Sequence, residues 1–189
     1  MEASAATRAV PAILPGKVGV WWFLASEIMV FGGLISSYIV SRLGSPGWAA
    51  EAAHLSVPVA SVNTLVLLTS SLTMVVAFAA TKEGDRGKVR TFLFFTILLG
   101  LTFLGIKAYE YTSKVAAGFV PASGPFWSFY YTMTGLHGLH VLGGVVANFS
   151  LFVLARRALR NPHRIELAGL YWHFVDVVWI FLFPLLYLA

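Results

Sequence analysis

The sequence predicts an all-α, polytopic membrane protein: five transmembrane helices in one bundle, with the N-terminus cytoplasmic. Three observations predict it. The 189 residues are 58% hydrophobic and 11% charged, with a mean hydropathy of +0.80. A soluble domain carries about 25% charged residues. Five apolar runs, near 18–41, 57–81, 89–111, 127–156 and 167–188, each reach the ~20 residues that cross a bilayer. None alternates with period two, so strands are not expected. The third observation is the placement of Lys and Arg. With five spans, one side holds Arg8, Lys17, Lys82, Arg86, Lys88, Arg90, Arg156, Arg157, Arg160 and Arg164, and the other holds Arg42, Lys107 and Lys114. Ten against three puts the N-terminus inside and the C-terminus outside.

Composition also excludes function classes. With no cysteine, the chain has no disulfide, thiolate metal site, iron–sulfur cluster or Cys nucleophile. A net charge of +5 raises nucleic acid as a partner. The charges cluster at helix ends, as membrane topology requires, so no nucleic acid is expected. No internal repeat supports an inverted-repeat transporter.

Residues 1–17 are small, polar and broken by Pro11 and Pro15. They read as a disordered cytoplasmic arm ahead of the bundle at 18–189. The first apolar run is too long, and holds an acid, so it is not a signal peptide. That acid is Glu27, in WWFLASEIMVFGG, with apolar neighbours on its own face (Val20, Phe23, Leu24, Val30, Phe31 and Leu34). Its carboxyl must be protonated, paired across helices, or both, as packing glue or as a proton-linked group. The second run carries Ser61, Asn63, Thr64, Thr69, Ser70, Ser71 and Thr73. Such side chains bond back to their own helix or bridge to another. KEGDRGK at 82–88 is a tight charged turn between antiparallel helices.

The third run ends in GIKAYEY, where Lys107 and Glu110 stand three apart near the outer interface. A local ion pair or snorkelling accounts for both as structural polar residues. The fourth carries TGLHGLHVLGG. His137 and His140 can face the same partner, and Thr134, His137, Gly144 and Asn148 continue a polar-and-small stripe. Gly135, Gly138, Gly143 and Gly144 let another backbone approach. His137, His140 and His173 together raise a metal or haem reading. With no Cys and no evident fourth ligand, neither a metal site nor a catalytic residue is assigned.

The fifth run holds YWHFVDVVWIF, in which Trp172, Asp176 and Trp179 share a stripe with His173 beside it. An Asp near a membrane centre costs roughly 2.5–3.5 kcal/mol on insertion scales, so this face is expected to meet protein. Glu27 and Asp176 each lie about nine residues in, roughly 13 Å deep. Two bare carboxylates in one apolar layer cannot both stay ionised. His173 is expected to steady the charge of Asp176, which leaves Glu27 as the neutral acid, touching the fourth or fifth helix. Phospholipid headgroups are expected near Arg156, Arg157, Arg160 or Trp172, at about 1 kcal/mol per basic residue.

These strings together resemble subunit III of the haem–copper terminal oxidases, the cytochrome c oxidase subunit 3 family. GLHGLHV at Gly135–Val141 and YWHFVDVVW at Tyr171–Trp179 carry the resemblance most strongly. NTLVLLTSS at Asn63–Ser71, EGDR at Glu83–Arg86, AYEY at Ala108–Tyr111 and Ser26–Glu27 match in the same order. The chain is similar to the short five-helix bacterial form, beginning at the third helix of longer relatives. The resemblance implies a multi-pass subunit of the bacterial plasma (inner) membrane, bound to catalytic subunit I and other oxidase subunits. It implies no cofactor in this chain: haems and copper belong to the partner subunits, and phospholipid is bound. The complex would oxidise cytochrome c or a quinol, reduce dioxygen and pump protons, with this subunit supporting proton uptake, stability and lipid binding. Glu27 matches the family's buried helix carboxyl, known for reacting with a hydrophobic carbodiimide. His140, His173 and Asp176 match its signature motifs, and with Glu27 form the buried polar, proton-linked set. Rival readings are a proton-coupled carrier using Glu27, His140 and Asp176, a haem or metal protein using the three histidines, and the related subunit of a nitric oxide reductase.

Overall fold

Proline opens four of the long helices, at Pro15, Pro58, Pro125 and Pro162. The missing N–H costs nothing there, because a helix's first donors have no partner within it. The structure is a computed structural model that describes residues 15–45, 47–154 and 162–188. The elements are α1 (Pro15–Leu43), a short α2 (Trp48–Ala52), α3 (Val57–Lys82), α4 (Arg86–Ala116), a 3-10 turn (Pro121–Ser123), α5 (Pro125–Val153) and α6 (Pro162–Tyr187). Five helices are long and apolar enough to cross a membrane, and no strand occurs among the described residues.

The helices overrun the apolar runs at most ends, because charged and small residues continue the last turns. α4 starts at Arg86 and ends at Ala116, where hydropathy marks only 89–111. Most of the expected N-terminal arm lies outside the described residues, and Lys17 within it is already helical. The charged turn is as read. Gly84 takes a positive φ of 71°, and the Asp85 carboxylate caps α4 by accepting the Lys88 backbone N–H at 3.0 Å.

α3 and α4 form an antiparallel hairpin, α6 lies against α3, and α5 bridges α4 and α6. Trp172 of α6 locks this group. A Cβ on Gly144 of α5 would lie 2.5 Å from its ring, and one on Gly100 of α4 would lie 2.8 Å away. Its indole N–H donates to Ser70 Oγ of α3 at 2.8 Å. Trp172 is therefore wholly buried, which corrects the expectation that it meets a lipid headgroup: two glycines open a slot that draws the ring inward.

α1 packs chiefly on α5 and α6. In its most apolar stretch 11% of residues are buried, against 44% for α6. Trp21 and Trp22 on α1 are exposed at the basic end of the bundle. At the far end Trp48 of α2 and Trp127 of α5 are instead buried. Trp48 stands edge-on to Tyr38 with ring centroids 5.0 Å apart, and Glu51 accepts the Trp127 indole N–H at 2.8 Å.

Candidate functional site

Three polar centres lie inside the bundle, each placed by helix register. The first joins α1 to α5. His140 Nδ1 lies 2.8 Å from the Leu136 carbonyl, which can only accept, so Nδ1 carries a proton. His140 Nε2 lies 3.1 Å from Glu27 Oε2, and one further proton is shared between them. Whether it sits on nitrogen or oxygen, the pair is neutral overall. The expected contact of Glu27 with the fourth spanning helix is thus met by His140. Tyr171 of α6 donates its hydroxyl to the His140 carbonyl at 2.9 Å, and Phe31 stands edge-on to the ring.

The second centre joins α6 to α3. The sequence reading has His173 steadying Asp176, and the structure places it otherwise. His173 Nδ1 is hydrogen-bonded to Ser71 Oγ of α3. Asp176 is 3% exposed, and neither carboxyl oxygen has a hydrogen-bond partner among the described residues. Trp172 and Trp179, on the same stripe, direct their N–H groups away, to Ser70 and to Thr64.

The third centre lies at the far end. Lys107 and Glu110 form the expected i,i+3 pair at 2.9 Å, but they do not snorkel: both are buried. The Lys107 ammonium also donates to the hydroxyls of Tyr187 at 2.7 Å and Tyr130 at 3.2 Å. Tyr187 in turn donates to Glu110 Oε1 at 2.8 Å. All three ammonium protons have acceptors, as a buried cation requires.

His137 and His140 do not share a partner. His137 stacks on Trp179 at 5.1 Å and meets Phe103 edge-on, and neither ring nitrogen is hydrogen-bonded among the described residues. The stripe Thr134, His137, Gly144 and Asn148 is buried. Asn63 gives its amide to the Phe103 carbonyl at 3.4 Å. Ser61, Thr64, Thr69 and Thr73 bond back to their own helix, and Thr73 also bridges to Thr96 of α4 at 2.7 Å. Among the described residues, no three His, Cys, Asp or Glu side chains come together as metal ligands. Arg156, Arg157 and Arg160 lie outside the described residues.

Several partners were missed in the sequence. Tyr130 and Tyr187 gave no signal, being tyrosines in aromatic-rich apolar runs. Ser71 was visible only as one of several hydroxyls. Arg164 was counted for topology alone, yet it lines a cleft of about 350 Å³ between α1, α5 and α6, with Val20, Phe23, Leu151, Leu167 and Tyr171. Near its mouth, Lys17 of α1 pairs with Glu166 of α6, which also meets His163 at 3.2 Å.

Comparison with known proteins decides the family. Residues 2–189 match the family described as cytochrome c oxidase subunit III. The chain belongs to that family. It is 37% identical over 183 residues to a cytochrome c oxidase subunit 3 of Bacillus sp. (strain PS3), covering 94% of this chain and 88% of that protein. It is 39% identical over 177 residues to the cytochrome c oxidase subunit 3 of Corynebacterium diphtheriae, covering 90% and 86%. A probable quinol oxidase subunit 3 of Staphylococcus haemolyticus is 32% identical over 176 residues, covering 91% and 88%. This oxidase subunit III is therefore a multi-pass membrane protein of a terminal oxidase, with its signature histidines and acids divided between α1, α5 and α6.

Proposed function

We propose that the chain is a non-catalytic subunit of an aerobic respiratory oxidase in a bacterial plasma membrane, oriented with its basic end in the cytoplasm. It docks on the catalytic subunit, which holds the haems and copper, and helps sustain proton uptake. The observation that carries this reading is the Glu27–His140 hydrogen bond at 3.1 Å, which ties the least covered helix to α5. Continuous helices through each span favour a docked subunit over a carrier, whose binding site is typically built from broken helices. Cytochrome c oxidase and quinol oxidase subunits are both among the relatives, and either electron donor suits this reading.

The cleft lined by Arg164 supports the phospholipid role. Apolar side chains from three helices receive an acyl chain, Arg164 attracts an anionic headgroup, and the Tyr171 hydroxyl lies at the same wall. Arg164 thus takes the headgroup role expected of Trp172. Two measurements test the proposal. In mild detergent the chain copurifies with a haem-bearing subunit; a chain that purifies alone overturns the assignment. Mass spectrometry of lipids retained by the complex shows anionic phospholipid that is depleted in Arg164→Gln. An unchanged complement in that variant removes the lipid assignment and leaves subunit membership standing.

A further inference from the structure

We propose that the seam between α4 and α5 holds an anionic phospholipid, with its phosphate on Arg90 and an acyl chain along a groove lined by phenylalanines. The site is separate from the Arg164 cleft between α1, α5 and α6 and shares no lining residue with it.

The groove comes from helix register. Gly87, Thr91, Phe94 and Phe95 lie on one face of α4, and Arg90 stands one turn before Phe94. With Phe152 of α5 these five line a groove of about 470 Å³. The Phe94 and Phe152 rings lie 6.3 Å apart, and Phe149 stacks on Phe152 at 6.4 Å. Phe94, Phe95 and Phe149 are exposed. The groove starts in the first turn of α4, beside the charged turn at 82–88, and runs from there into the apolar stretch of the helix. Its mouth is polar and its floor is aromatic, as an amphiphile requires.

Arg90 is the cation at that mouth, and it is left over. Glu83 and Asp85, the acids nearest to it in sequence, pair with Lys88. Glu166 holds Lys17, Glu110 holds Lys107, and Glu27 meets His140. Glu51 accepts the Trp127 indole, and Asp176 is enclosed in the core. No carboxylate among the described residues is therefore paired with Arg90. Its guanidinium lies over the Phe152 ring, 4.9 Å from the centroid. A contact with the ring face uses none of the guanidinium's N–H donors, and it holds the charge at the lip of the groove. Those donors suit a phosphate, which accepts two of them in parallel. The Thr91 hydroxyl lines the same groove and offers a further donor. Inorganic phosphate would leave the phenylalanine floor uncovered, whereas an acyl chain covers it. Arg86, one turn before Arg90, adds positive charge to the same end of α4. A zwitterionic lipid would bring its ammonium against these cations, so the charge selects an anionic headgroup.

Photocrosslinking on the intact oxidase complex in lipid nanodiscs tests this. Two probes with a diazirine in the acyl chain are compared at equal mole fraction, one a phosphatidylglycerol and the other a phosphatidylethanolamine. The phosphatidylglycerol probe labels residues 87–95 and 149–152 about fivefold more than the other. That preference is lost in Arg90→Gln and kept in Arg164→Gln. Equal labelling by the two probes in the wild type, or no labelling of this seam by either, overturns the proposal. So does a preference that survives Arg90→Gln. A preference lost in Arg164→Gln as well refutes a separate site. If Arg90→Gln does not assemble, the wild-type comparison of the two probes still decides.

Discussion

α1 and α6 each carry one acid into the membrane, and the two acids end in opposite circumstances. Glu27 stands on the loosely covered helix and has a partner, His140, 113 residues away in sequence. Asp176 stands on the most covered helix and has no donor among the described residues. Exposure on the bundle therefore does not decide which acid is satisfied. Register does: α5 brings an imidazole to Glu27, while among the described residues no helix brings a donor to Asp176. The comparison teaches that a membrane bundle holds a carboxyl in two ways. One is to pair it across helices, and the other is to enclose it in the packed core. Lys107 and Glu110 show the first way in the tightly packed region, with tyrosine hydroxyls completing the shell.

The comparison can be broken most forcefully at that buried ion pair. Lys107→Met leaves Glu110 enclosed without its cation and is expected to cost about 3–5 kcal/mol. Lys107→Met with Glu110→Gln should recover most of that loss. Both are read from denaturant titration of the complex or from subunit retention. A single variant as stable as wild type would show that the pair contributes little to holding the far end together.

The next effect separates the packed helices from α1. Gly144→Ala pushes a methyl group to 2.5 Å from the Trp172 ring, where overpacking costs about 1–3 kcal/mol. Gly33→Ala on α1 meets nothing within 4 Å and is expected to leave stability unchanged. Equal losses from the two, measured by thermal retention of the subunit in the complex, would contradict the division between a locked core and an open α1.

The smallest effect sharpens the neutral-pair argument. Glu27→Gln keeps a neutral group that can donate to His140 Nε2, so assembly is expected to persist. Glu27→Ala leaves the imidazole without its partner and is expected to cost about 1–3 kcal/mol. It should loosen α1 from α5, read as faster proteolysis or hydrogen exchange near the start of α1. A Gln variant that detaches α1 as readily as Ala would show that the pair must carry charge.

Most of the architecture was legible in the sequence, because membrane helices are specified locally. A run of apolar residues longer than the bilayer must satisfy its own backbone, and a helix does that without neighbours. So the five spans, the charged turn at 82–88, the Lys107–Glu110 pair and the stripe through Trp172, Asp176 and Trp179 all followed from spacing within one helix. Even the family was legible, from strings such as GLHGLHV and YWHFVDVVW.

Tertiary structure alone decided who meets whom across helices, since spacing along one helix carries no information on the rotation of the next. His173 lies three residues from Asp176 yet faces Ser71, 102 residues away. Trp172 has the composition of an interface anchor, but Gly100 and Gly144, on two other helices, open the slot that buries it. Tyr187, at the end of the last span, becomes a ligand of a lysine 80 residues earlier. The sequence by itself determined which polar groups the spanning helices carry and how they are spaced along each, because the rise per residue is fixed. Only the packing of α3, α5 and α6 determined which of them are paired, because pairing depends on the relative rotation and close approach of separate helices.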